Sequence, residues 1–142
     1  MKIRLDDAMQ SFSFPFDAVY YYYIPLETVL MFMGGMIYGK AVNGISSEAD
    51  VKKHPDDFIM LPRIGAEGRM KVMKGFLEAL DKEAGGRVRG KLGGTGELPD
   101  MSVFENILGE EKLLIAWYNY RDGIYGELAR RWCEANGLEM IR

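Results

Sequence analysis

The sequence is poor in the side chains that carry most metal and nucleophilic chemistry. It holds one cysteine, Cys133, and one histidine, His54, in 142 residues. A lone cysteine forms no internal disulfide, and one Cys with one His does not complete a tetrahedral zinc set of the usual types. Long hydrophobic runs are absent too. The longest, Val29 to Tyr38, is ten residues and contains Gly34 and Gly35, whereas a membrane helix needs about 20. The opening Met1-Lys2-Ile3-Arg4-Leu5-Asp6-Asp7 places two acids where a secretory signal needs an apolar core. These absences predict a chain without a membrane segment, located in the cytoplasm. An unpaired cysteine fits such a reducing compartment.

What is present is ordinary for a globular protein: 48% hydrophobic and 27% charged residues. The length predicts one domain, with a hairpin region over residues 1–45 and a mostly helical region over 46–142. The net charge of −3 conceals a pattern. Residues 1–57 and 100–142 each carry five bases and eight acids, while residues 58–99 carry eight bases and five acids. A basic middle between acidic flanks is either an anion-binding face or internal charge complementarity.

Leu5, Ala8, Met9 and Phe12 are spaced for a short amphipathic helix, ended before Pro15, which disfavours helix at Phe14. Ala18–Ile24 and Val29–Met33 read as two antiparallel strands rich in Tyr, Val and Ile. Pro25 to Thr28 make the turn between them. Met36-Ile37-Tyr38 adds a third strand or a bulged continuation beyond Gly34-Gly35. Strand alternation puts Tyr20 and Tyr22 on one face, Tyr21 and Tyr23 on the other. One pair is expected in the core and the other half exposed, either as a stacking surface or as rings covering a thin sheet.

Ser47 and Asp50 have capping-box spacing for a helix that Pro55 stops near Lys53. Phe58–Leu61 is read as extended or as a single turn. Met70, Met73, Phe76, Leu77 and Leu80 form one stripe of a helix over Gly65–Leu80. Ala84–Gly96, with six glycines around Arg87, Arg89 and Lys91, reads as a flexible basic connector. Asp100 or Ser102 caps a helix that Gly109 ends. Glu110–Ala135 is expected as one long helix with Leu114, Trp117, Arg121, Ile124, Leu128 and Trp132 along its stripe. Asn136-Gly137 would stop it, with Leu138 in contact. Gly123 and Gly126 inside it suggest close approach of another backbone, or a bend.

Gly85 to Lys91 approaches a phosphate-loop pattern, but Leu92 stands where a magnesium-holding Ser or Thr belongs and no strand precedes it. His54 sits in a polar turn, and Cys133 reads as a packing residue. The acid pairs Asp6-Asp7, Asp56-Asp57 and Glu110-Glu111 diverge on a helix and offer no paired carboxylate geometry by themselves. No cofactor, catalytic set or metal site is predicted, although acids distant in sequence leave a metal site open. Arg121 lies on an apolar stripe. It is either a structural ion pair, with Asp57 or Glu67 as partner, or an anchor for a carboxylate or phosphate. Arg121, Arg63, Tyr21 and Tyr23 are the ligand-binding candidates; Arg87, Arg89 and Lys91 are the phosphate or nucleic-acid candidates.

Over roughly residues 56–140 the chain resembles the bacterial uncharacterised protein family 0158. The resemblance is carried by Phe58-Ile59-Met60-Leu61-Pro62, Glu67, Arg69-Met70, Phe76-Leu77 and Phe104, then by Trp117-Tyr118-Asn119-Tyr120-Arg121-Asp122 and Trp132-Cys133-Glu134-Ala135-Asn136-Gly137. The chain differs from that pattern in extra residues at Glu97 to Asp100 and in lacking an aromatic just after the glycines. The resemblance implies no particular reaction.

The expected fold class is α+β: a small N-terminal antiparallel hairpin or three-stranded sheet packed on a C-terminal helical bundle. The expected function is a non-enzymatic interaction or regulatory module that binds a protein or a small ligand. The alternative is a phosphate or nucleic-acid binder using the basic connector. The oligomeric state is left open.

Overall fold

The computed structural model describes residues 1–13, 17–93 and 98–142. The predicted stop at Phe14-Pro15 and the segment Gly94-Thr95-Gly96-Glu97 lie outside the described residues. In chain order the elements are β1 (Lys2–Arg4), α1 (Leu5–Ser13), β2 (Val19–Tyr23), β3 (Thr28–Met33), β4 (Met36–Ile37), α2 (Glu48–Lys53), β5 (Phe58–Met60), α3 (Gly65–Ala79), α4 (Lys82–Lys91), α5 (Met101–Glu110), α6 (Leu114–Ala135) and β6 (Glu139–Ile141). The class is α+β, with an antiparallel sheet near the N-terminus and most helix beyond it. Two compact units divide the chain. One holds residues 1–63 and 125–142, the other residues 64–124.

The first unit is built on a four-stranded antiparallel sheet in the order β4-β3-β2-β5, one strand more than the sequence suggested. The fourth is β5, formed by the segment read as extended or turn. Pro25 opens a one-turn 3₁₀ helix at Ile24–Leu26, and Glu27 takes a left-handed φ of 48° to reverse the chain into β3. Gly34 and Gly35 both have positive φ, 59° and 81°, as a two-residue hairpin turn of type I′ requires. That turn pairs Met33 with Met36 and Phe32 with Ile37.

Tyr20 and Tyr22 are buried on one face, and the Tyr22 hydroxyl donates to the Lys2 carbonyl at 2.6 Å. On the other face Tyr21 is half-buried, but Tyr23 is buried as well. The expectation of an exposed pair is corrected here by β5. It sets Phe58 opposite Tyr23 with the rings stacked at 4.9 Å, and Leu30, Phe32, Ile45 and Val51 complete that cluster. β1 pairs in parallel with β6. Phe12 of α1 stacks on Tyr125 of α6 at 5.5 Å.

The capping box at α2 is formed as expected, with Ser47 and Asp50 bonding each other's backbone N–H. The end of α6 is a complete Schellman motif. Leu138 N–H donates to the Cys133 carbonyl and Gly137 N–H to that of Glu134, with Gly137 at φ 69° and Leu138 buried.

The second unit is helical. Val72, Met73, Phe76 and Leu77 of α3, Ala84 and Val88 of α4, Phe104 and Leu108 of α5, and Trp117 are all buried. Trp117 packs edge-on against both Phe76 and Phe104 at 5.4 and 5.2 Å. Four expectations are corrected from α4 to α6. The segment read as a connector is helical up to Lys91. Asp81 caps it through Ala84 N–H, and Ala84, Gly85 and Val88 are buried, so packing overrides the low helix propensity of its glycines.

The expected helix from Glu110 is two helices. Leu113 N–H donates to the Leu108 carbonyl and Lys112 N–H to that of Gly109, a second Schellman motif with Lys112 at φ 59°. Glu110 therefore ends α5 instead of opening α6. Finally, the buried row of α6 is Trp117, Tyr125, Ala129 and Cys133, while Trp132 is partly exposed and donates to the Met60 carbonyl at 3.1 Å. A Cβ built on Gly123 or Gly126 meets nothing within 4 Å among the described residues, so none of their backbone approaches there.

Candidate functional site

The shortness of β4 creates an opening. β4 ends at Ile37, and Tyr38 N–H makes one more bond to the Met31 carbonyl at 2.8 Å before the chain turns away at Gly39. Backbone groups of a strand alternate in direction, so Val29, two residues before Met31, turns its N–H and C=O to the same open edge. Beside this edge lies a cleft of about 460 Å³. Its walls are Val29, Leu30, Met31, Ile37 and Val42, and its polar groups come from Gln10 of α1, Tyr20, Tyr38 and Lys40. No carboxylate lines it, and Lys40 is exposed and has no ion pair among the described residues. Burial pushes the Tyr20 hydroxyl above the ordinary tyrosine value, so it stays protonated at neutral pH. The cleft thus offers an apolar wall, hydroxyls and one cation.

The residues singled out from sequence lie elsewhere. Arg63 donates to the Ala18 carbonyl at 2.8 Å, tying the chain after β5 to the start of β2. Tyr21 packs edge-on against Phe32 and Phe58, and its hydroxyl is pushed up first by burial and then by Glu48. The Tyr23 hydroxyl accepts from the Asn43 amide at 3.4 Å.

Arg121 belongs to the second unit. It contacts Asp122 at 3.0 Å and Glu105 at 3.9 Å, with its guanidinium 4.8 Å from the centre of the Tyr118 ring. Glu105 in turn accepts the buried Trp117 indole N–H at 2.9 Å. That arrangement gives Arg121 a structural partner close in the fold.

Arg87 and Lys91 lie one helical turn apart on α4 and meet Glu110 and Glu111. Arg87 bonds Glu111 at 3.0 Å and reaches Glu83 at 3.5 Å, while Lys91 bonds both acids at 3.0 Å. The bonds from Glu110 and Glu111 raise the Lys91 ammonium above its ordinary value, and those from Lys91 and Arg87 hold the Glu111 carboxyl below its own. Arg89 is exposed and makes no ion pair among the described residues.

His54 is an exposed residue at the end of α2. Cys133 is buried and its thiol is pushed up by burial, the opposite of an activated thiolate. No group of three or more His, Cys, Asp or Glu side chains converges on a point among the described residues. No helix among them is long and apolar enough to cross a membrane.

Gln10, Tyr38 and Lys40 went unmarked in the sequence because no spacing rule joins a helix residue to a segment about thirty positions away. The only available signal was Gly39, which takes φ 102° and ends the edge strand early. Comparisons with known proteins add no candidate: no family model, curated protein or solved structure matches this chain.

Proposed function

We propose that this chain is a non-catalytic binding module of the cytoplasm that takes up a small amphipathic anion, an apolar body carrying a carboxylate or equivalent group, in the cleft beside β3. The carrying observation is the pairing of five apolar walls with a single cation, Lys40, and no acid among the described residues. The volume of about 460 Å³ lies in the usual range for small-molecule sites, roughly 300–1,000 Å³. Membership of uncharacterised protein family 0158 is proposed alongside, on the pattern from Trp117 to Gly137, and it brings no reaction to the site. Phosphate or nucleic-acid binding by Arg87, Arg89 and Lys91 has less support, since glutamates neutralise two of the three.

The test is fluorescence titration with anilinonaphthalene sulfonate, an amphipathic anion, followed by displacement. Saturable binding is expected, displaced by octanoate but not by octylamine. Lys40→Gln should weaken it about 1.4- to fivefold, since an exposed ion pair contributes about 0.2–1 kcal/mol. Absence of saturable binding, or equal displacement by the amine, would overturn the reading.

A further inference from the structure

Although the chain is poor in cysteine and histidine, it has ten methionines, and three of them meet on one hairpin. Met33 and Met36 are directly opposed across the β3–β4 turn, and Met31 lies two residues along β3. Directly opposed residues have Cβ atoms about 4.5–5.5 Å apart. Residues two apart on a strand share its face at about 7 Å. All three side chains therefore leave the same face of the hairpin, and Gly34-Gly35 holds their spacing with a two-residue turn.

Their burial does not account for them. Met33 is 37% exposed and Met36 56% exposed, at solvent-facing strand positions where β-branched or polar residues are usual. Methionine has three rotatable bonds and a polarisable thioether, so sulfurs at these separations can turn onto one point above the face.

We propose that Met31, Met33 and Met36 form a thioether site for a soft monovalent cation, copper(I) or its surrogate silver(I). Neutral sulfur donors select such ions over zinc, magnesium or calcium. Met31 is also a wall of the cleft, but Met33 and Met36 do not line it, so the two sites share one residue and the proposal does not rest on the cleft reading. Thioethers carry no proton to displace near neutral pH, unlike thiolate or imidazole ligands. Affinity should therefore stay level from about pH 8 down to about pH 5.

The test is anaerobic competition of the full chain against the coloured copper(I)–bicinchoninate complex. One equivalent of copper(I) should be withdrawn by the protein, with the same affinity at both ends of that pH range. Met33→Leu/Met36→Leu keeps apolar volume and should fold as the parent does by circular dichroism, while losing about tenfold or more in affinity. The same variant should still bind anilinonaphthalene sulfonate. Failure to withdraw copper(I), equal affinity in the leucine variant, or affinity that collapses with acid would each overturn the proposal. The last outcome would place the ion on His54 or Cys133 instead.

Discussion

Trp117 is fully buried, and its indole N–H has one acceptor, Glu105, whose charge is faced by Arg121. Removing the acceptor leaves a buried donor unsatisfied; removing the cation leaves only a partly solvated carboxylate. Glu105→Ala should therefore cost about 1–3 kcal/mol. Arg121→Ala should cost about 1 kcal/mol or less, because both partners keep contact with water. Urea denaturation decides the order, and a larger loss for Arg121→Ala would refute it. On α6, Arg130 and Arg131 both bond Glu127, and Arg130 also bonds Glu134. The Arg130 hydrogen bond, then its charge, holds the Glu127 carboxyl down at about 2. A depressed carboxylate stabilises the fold above its unfolded value and stops doing so as pH falls through its folded one. Wild type should thus lose melting temperature between about pH 4.5 and about pH 2. Glu127→Gln should show a shallower fall over the same window.

Among the elements, those with strong local signals were legible and those decided by packing were not. Ser47 with Asp50, and Asn136-Gly137-Leu138, carry their caps in adjacent residues and form them as read. α4 was hidden because glycine content argues against helix, while its burial of Ala84 and Val88 depends on partners far along the chain. The break between α5 and α6 was hidden because Lys112 takes a left-handed conformation usually reserved for glycine. Gly109, the obvious stop, lies inside the last turn. Misplaced glycines of this kind make opposite predictions from ordinary ones. Gly123→Ala and Gly126→Ala fill open helical positions and should each stabilise by about 1 kcal/mol. Lys112→Gly should relieve about 1 kcal/mol of backbone strain. Thermal melts that show no gain for either glycine variant would mean α6 bends where those glycines lie.

For the molecule as a whole, two of the eight bases of the middle segment are matched internally. Arg87 and Lys91 face acids of the C-terminal flank, so charge counted along the chain overstated what is offered to a partner. The cleft was the least legible feature, since it combines α1, an open strand edge and the segment after β4. β1 and β6 show how the chain is closed: they run in parallel, Lys2 opposite Glu139 and Arg4 opposite Ile141. This has a mechanical meaning. A pull applied at Met1 and Arg142 draws the two strands in opposite directions along their own axes, so their hydrogen bonds share the load in shear. The β3–β4 hairpin, pulled at its open end, would peel one bond at a time. The parallel pair encloses nearly the entire chain, so it is a clasp: no tension reaches the sheet or the helices until it yields.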